Sequence, residues 1–176
     1  MVNNRAGFEQ IAESIQGLKQ FQELFDNSSQ LMADALLNDG TIFCAGGPYC
    51  TSAAQQLADM LTCSPDETRP ALPAENLGAN IRGQRQFIAL AKEQDFAVFF
   101  RDSVQDPNLE TLLNISLEKS VASLLVSPNL DHVEPTDKAL EIRLEYSSLS
   151  DYSTSLSALS NYLTKSIETL LFGRQV

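Results

Sequence analysis

Apolar side chains recur at steps of three and four through Phe8, Ile11, Ile15, Leu18, Phe21 and Phe25. That spacing places them on one stripe of a helix. Asp26-Asn27-Ser28-Ser29 reads as a break followed by an N-cap. Leu31, Ala35, Leu36 and Leu37 continue a second helix, stopped at Asn38-Asp39-Gly40, where glycine would take the left-handed conformation. The period then changes. Thr41 to Ala45, Phe96 to Phe100 and Val121 to Val126 are short unbroken apolar runs, as expected of strands covered on both faces. Ala139 to Glu145 alternates charged and apolar residues, the pattern of an edge strand. Ala74 to Ile81 is ambiguous and holds a short strand at most.

Helical stretches separate these runs. Thr51-Ser52 is placed to cap a helix carrying Ala53, Ala54, Leu57, Met60 and Leu61. Gln84 to Gln94 has Phe87, Ile88, Leu90 and Ala91 as its apolar side, and Asn108 to Lys119 has Leu109, Leu112, Leu113, Ile115 and Leu117. Ser150 or Asp151 would open a last helix with Leu156, Leu159, Leu163, Ile167 and Leu170 at three- and four-residue steps. Strands alternating with helices predict an α/β fold, a three-layer αβα sandwich on a parallel core sheet. An N-terminal helical pair (4–38) precedes the α/β core (41–172) within one domain.

The chain has 176 residues, enough to bury roughly 70% of its unfolded surface without a disulfide or metal staple. Its 12 Lys and Arg against 23 Asp and Glu give a net charge of −11. With no basic block, direct binding to nucleic acid or an anionic membrane is not expected. No apolar run reaches the roughly 20 residues of a membrane-spanning helix, and the first ten residues lack a signal-peptide core. Cys44, Cys50 and Cys63 fit neither a zinc ribbon nor a CxxC pair and are expected as free thiols in a reducing cytoplasm. Cys50 precedes a helix N-terminus, which favours a thiolate, but no recognisable His partner accompanies it. The single His132 lies in a polar loop and reads as a surface residue.

Four segments, in order, resemble the sugar isomerase (SIS) domain family in its phosphoheptose isomerase branch. Ala35-Leu36-Leu37-Asn38-Asp39-Gly40-Thr41-Ile42-Phe43 is similar to that branch's LLNGGKI run before the first strand. Gly46-Gly47 with Thr51-Ser52-Ala53-Ala54 resembles its GNGxSAA turn, and Thr68 to Ala74 its xRPxLPA segment. Thr169-Leu170-Leu171-Phe172 and the four residues after it resemble the C-terminus of the subgroup that associates with the replication initiator DnaA.

The resemblance implies an aldose–ketose isomerase ancestor, which needs a base and an acid near the substrate. The family carries a Glu on the helix after the first strand and a His on the last helix. Here Ser52 to Cys63 has neither His nor Glu, Asp59 being its only acid, and Asp151 to Phe172 has no His. Thr154, Ser157 and Tyr162 stand there instead, and a tyrosine titrates near ~10. The family's phosphate-binding STSGNS turn is replaced by Arg101-Asp102-Ser103-Val104-Gln105-Asp106-Pro107, read as a solvated turn with two carboxylates where a dianion would sit. Thr51, Ser52 and Ser103 remain as phosphate-contact candidates; no catalytic residue, metal site or cofactor is expected.

By the same resemblance, Leu171 and Phe172 are the partner-binding pair. The N-terminal helices, with Phe8, Phe21 and Phe25, are expected to pack between subunits of a dimer or tetramer. The expected function is a non-catalytic adaptor that binds DnaA and regulates initiation of chromosome replication. The alternative is a phosphoheptose isomerase or a sugar-phosphate-binding sensor.

Overall fold

A computed structural model describes residues 4–63, 69–102, 106–130, 139–146 and 148–173. Helix α1 (Asn4–Gly17) runs into a 3-10 turn, Leu18–Phe21, and then into α2 (Gln22–Leu37). The break therefore falls at Gly17, a poor helix former, and not at Asp26–Ser29. Ser28 stays helical by donating its hydroxyl to Leu24 O at 2.7 Å. At the end of α2 the left-handed residue is Asp39, at φ 57°, rather than Gly40.

Five strands follow in one sheet: β1 (Ile42–Gly46), β2 (Ala74–Gly78), β3 (Phe96–Phe100), β4 (Ala122–Pro128) and β5 (Leu140–Leu144). Their order is β2-β1-β3-β4-β5, and every pair is parallel. The three-layer αβα sandwich is as expected, and the ambiguous segment 74–81 supplies β2, one edge of the sheet. Strands β1 and β3 lie buried along their whole length because helices cover both faces.

Alternating side chains feed two apolar clusters. Cys44, Val98, Phe100 and Ile142 pack on one face with Met32, Leu57, Leu61, Leu156, Leu159, Leu163 and Ile167. These come from α2, from α3 (Thr51–Thr62) and from α6 (Leu149–Phe172). Phe43, Phe99 and Leu125 pack on the other with Phe87, Leu109, Leu112 and Leu113, from α4 (Ile81–Leu90) and α5 (Pro107–Glu118). Edge-on rings Phe43–Phe87 and Phe87–Phe99, with centroids 5.1 and 6.3 Å apart, knit that second face.

The starts of α4, α5 and α6 are set by short polar side chains. Asn80 accepts from the amides of Arg82 and Gly83 and starts α4 three residues before the expected Gln84. Asp106 accepts from the amide of Asn108, with Pro107 beginning α5. Ser148, not Ser150 or Asp151, caps α6, accepting from the Asp151 amide. On α6 the buried stripe ends at Ile167; Leu170, expected to continue it, is 47% exposed. The aromatic stripe of the N-terminal pair also turns inward. Phe25 is buried, Phe21 packs on the same core, and Phe25 meets Tyr162 of α6 at 5.6 Å between centroids. Phe25 is thus spent within the chain while Phe21 stays partly exposed; the side chain of Phe8 lies outside the described residues.

Arg69 ties the other end of the sandwich. Its guanidinium donates to the carbonyls of Met60, Leu61 and Pro70 at 2.7, 2.8 and 3.0 Å and meets Glu168 of α6 at 2.5 Å. It closes the C-terminus of α3, where a cation suits the helix dipole. Replacing it leaves buried carbonyls unpaired, so Arg69→Met should cost about 2 to 3 kcal/mol. Urea unfolding checks this, with the midpoint falling and the slope unchanged.

Candidate functional site

Strand β1 leads to α3 and then to β2 on one side, while β3, β4 and β5 lie on the other. The order reverses between β1 and β3, and open α/β sheets bind ligands beyond the carboxyl ends of the strands at such a point. There the turn Gly47–Cys50 after β1 packs against Arg101 and Asp102 after β3.

The turn is built by close approach. A side chain at Gly46 would collide with the carbonyl of Cys50, and a Cβ at Gly47 would lie 2.8 Å from Asp102 Oδ2. Glycine is required at both for steric reasons. Gly47 N–H donates to Phe100 O at 2.9 Å, and Cys50 N–H to Gly47 O at 2.8 Å. Tyr49 N–H donates to Asp102 Oδ2 at 3.0 Å. The Asp102 carboxylate thus fastens the β1–α3 turn to the end of β3.

Residues 101, 102 and 106 correct the expectation of a solvated turn. Arg101 is 6% exposed and Asp102 1%. Arg101 meets Glu110 of α5 at 2.5 Å and Glu141 of β5 at 3.8 Å. Glu141 in turn accepts from Ser127 Oγ at 2.6 Å. Asp106 is the cap of α5. Each of the two carboxylates that entered this segment has an internal role. Beneath the turn, Arg101 O accepts from Tyr152 Oη at 2.7 Å and from Cys50 Sγ at 3.6 Å.

These inner groups are held neutral. Burial, and then the negative charge of Asp102, push the Cys50 thiol up to about 12. Burial also drives the Tyr152 hydroxyl well above its ordinary value, with the nearby anionic groups adding to it. Neither can give a base at neutral pH. Burial raises the Cys44 thiol too.

Thr51 and Ser52 are exposed at the first two positions of α3, and they do not cap it. The capping position is Cys50, whose side chain makes no capping bond, and Thr51 Oγ1 donates backward to Gly47 O at 3.2 Å. The third phosphate-contact candidate, Ser103, lies outside the described residues, as does His132. The α6 residues standing in for a base have structural partners. Thr154 donates to Ser150 O, Ser157 bonds Gln56 of α3 at 2.9 Å, and Tyr162 donates to Asp26 of α2 at 2.6 Å. Asp59 accepts from Gln55 on the outside of α3. Among the described residues no group of three or more His, Cys, Asp or Glu is gathered as for a metal ion, and no helix is long and apolar enough to cross a membrane.

At the C-terminus the expected pair separates. Leu171 packs against the core while Phe172 is 40% exposed. Leu170 is 47% exposed as well, but residues two apart do not share a helix face. The roles of Asp102, Cys50 and Tyr152 went unread in the sequence, because nothing in their spacing joins residues 53 and 51 positions apart.

No family model matches the sequence, and no curated protein matches it at a significant level. Solved structures do match by fold. A phosphoheptose isomerase from Francisella tularensis is 16% identical, with a TM-score of 0.78 over 96% of this chain and 100% of that one. The phosphoheptose isomerase GmhA from Neisseria gonorrhoeae is 17% identical, with a TM-score of 0.73 over 96% and 100%. The Vibrio vulnificus NanR protein, solved in complex with ManNAc-6P, is 11% identical, with a TM-score of 0.73 over 94% of this chain and 62% of that one. The chain has the sugar isomerase fold.

Removing the Asp102 charge should make the Cys50 thiol easier to ionise, since that charge opposes the thiolate. In a Cys63→Ser background, Asp102→Asn is expected to move the pH dependence of Cys50 alkylation to lower pH, with Cys44 silent. The same substitution should destabilise by about 1 to 3 kcal/mol through the weakened Tyr49 bond.

Proposed function

We propose that this protein binds a phosphorylated sugar at the strand-end crevice between β1 and β3 and does not isomerise it. The observation that carries the reading is the N-terminus of α3. It opens at the point where the strand order reverses, lacks a side-chain cap, and carries the exposed residues Thr51 and Ser52, the Thr51 hydroxyl turned back to Gly47 O. Helix N-termini attract phosphate through their first amides and the helix dipole, although here the Ala53 amide is already bonded to Cys50 O. Asp102 sits beneath the turn and stiffens it, leaving the outer side of the helix end open to a ligand. Fold neighbours that are phosphoheptose isomerases, and one solved with ManNAc-6P, support the ligand class.

Turnover is a separate matter. Isomerisation moves a proton between adjacent carbons and needs an acid–base pair poised near neutral pH. α3 carries no His or Glu, Cys50 and Tyr152 stay protonated, and the candidate groups of α6 are bonded elsewhere. The protein is accordingly read as a sensor that couples ligand binding to another event.

A thermal-shift series with sedoheptulose 7-phosphate and other sugar phosphates tests binding, and a turnover assay with and without zinc tests catalysis. A rise in melting temperature without turnover is expected. Robust turnover would end the sensor reading, and no shift with any sugar phosphate would end the binding reading. Ser52→Asp separates binding from folding. A carboxylate in the first turn favours the helix by about 0.3 to 1 kcal/mol, so the ligand-free melting temperature should hold or rise while the ligand-induced shift disappears.

A second reading keeps the DnaA-binding adaptor, on the observation that Leu170 and Phe172 stand exposed at the end of α6. In a homo-oligomer, several such ends would engage a partner multivalently. All three cysteines are free thiols, in keeping with a reducing cytoplasm. Recovery of DnaA on immobilised protein should fall sharply for Leu170→Ala/Phe172→Ala, and equal recovery would remove this reading.

A further inference from the structure

The outer face of α4 is explained neither by the core nor by the crevice. The sequence pattern assigns Ile88 and Leu90 to the buried side of this helix, yet only Gly83 and Phe87 are buried within it. Ile81 is 63% exposed and Ile88 52%. Arg85 lies between them at spacing i, i+4, i+7, so the three share one stripe, with Arg82 and Ala89 alongside.

Among the described residues, the side chains of Arg82 and Arg85 have no ion-pair partner. The segment from Ala79 to Lys92 contains Arg82, Arg85 and Lys92 and no Asp or Glu, in a chain of net charge −11. Glu75 of β2, on the neighbouring strand, accepts from Gln86. The face is also rigid. Asn80 caps the helix, and Gly83 abuts the backbone of Gly78, where no side chain would fit.

We infer that this face docks an acidic amphipathic helix of a partner protein, whose carboxylates meet Arg82 and Arg85 while its apolar side chains cover Ile81 and Ile88. Charge complementarity selects the occupant. A second copy docked through the same face would bring in the same cations and no carboxylate, since residues 79–92 contain no Asp or Glu. Nucleic acid needs a denser run of cations than two arginines divided by isoleucines, and it would face the repulsion of an acidic chain. The net charge does not prevent an acidic helix from docking, because fields beyond about 8 Å are screened at physiological salt and the arginines act at contact. Two exposed isoleucines supply the apolar centre that a helix-on-helix contact requires.

The test uses the full chain and a synthetic amphipathic helix with leucines at the same spacing and glutamates between them. A control peptide carries lysine at each glutamate. Binding is followed by fluorescence anisotropy, and its location by amide chemical shifts. The acidic peptide should bind and perturb residues 81–92, and the control should not. Arg82→Glu/Arg85→Glu should weaken binding by about tenfold or more. Ile81→Ser/Ile88→Ser should weaken it comparably, and both variants should keep the far-UV circular dichroism of the parent. The inference is overturned if the acidic helix fails to bind, if the charge-reversed variant binds it equally well, or if the shifts fall elsewhere. It is also overturned if the serine variant abolishes self-association of the chain in sedimentation, or if the face binds duplex DNA through the same arginines. None of these readouts involves the strand-end crevice.

Discussion

The carboxylate of Asp102 joins the two strands at the middle of the sheet. It leaves the end of β3, accepts the amide of Tyr49 in the turn after β1, and lies where only a glycine at position 47 leaves room. A buried carboxylate would be costly if unpaired. Here it serves as an acceptor inside a tight turn, and its charge also helps to hold Cys50 in the thiol form. The course of the turn between β1 and α3 depends on this one placement.

Polar groups around it extend the same arrangement. Arg101 points to the opposite face of the sheet and joins α5 to β5 through Glu110 and Glu141. Its carbonyl meanwhile receives Tyr152 from α6. Consecutive residues thereby tie both helix layers to the carboxyl ends of the strands. Arg69 does comparable work for α3 and α6. The carboxyl end of the sheet is thus held by polar contacts among the described residues, with the exposed first turn of α3 beside it.

Much of the fold was legible because its signals are local. Phe96 to Phe100 is apolar without interruption and could only be a buried strand; its observed ends match the expected ones. Alternation of strands and helices forced a parallel sheet. Boundaries were less legible where two short polar residues compete. Ser148 rather than Ser150 caps α6, and Ser28 stays inside α2 by bonding back to its own helix. Ile88 and Leu90 were read as buried because spacing reports a shared stripe but not whether anything covers it.

The candidate site was legible only in part. The glycines and Thr51-Ser52 announced a turn and a helix end, since their steric and capping properties belong to single residues. That Arg101 and Asp102 are buried, that Leu171 faces the core while Leu170 faces water, and that α4 carries isoleucines into solvent were decided by tertiary structure. By itself the sequence determined the elements, the parallel sheet and the sign of the surface charge, because periodicity and composition act over a few neighbouring residues or over the whole chain. Which polar groups meet was left to the packing, because residues half a hundred positions apart meet only after the strands have found their order.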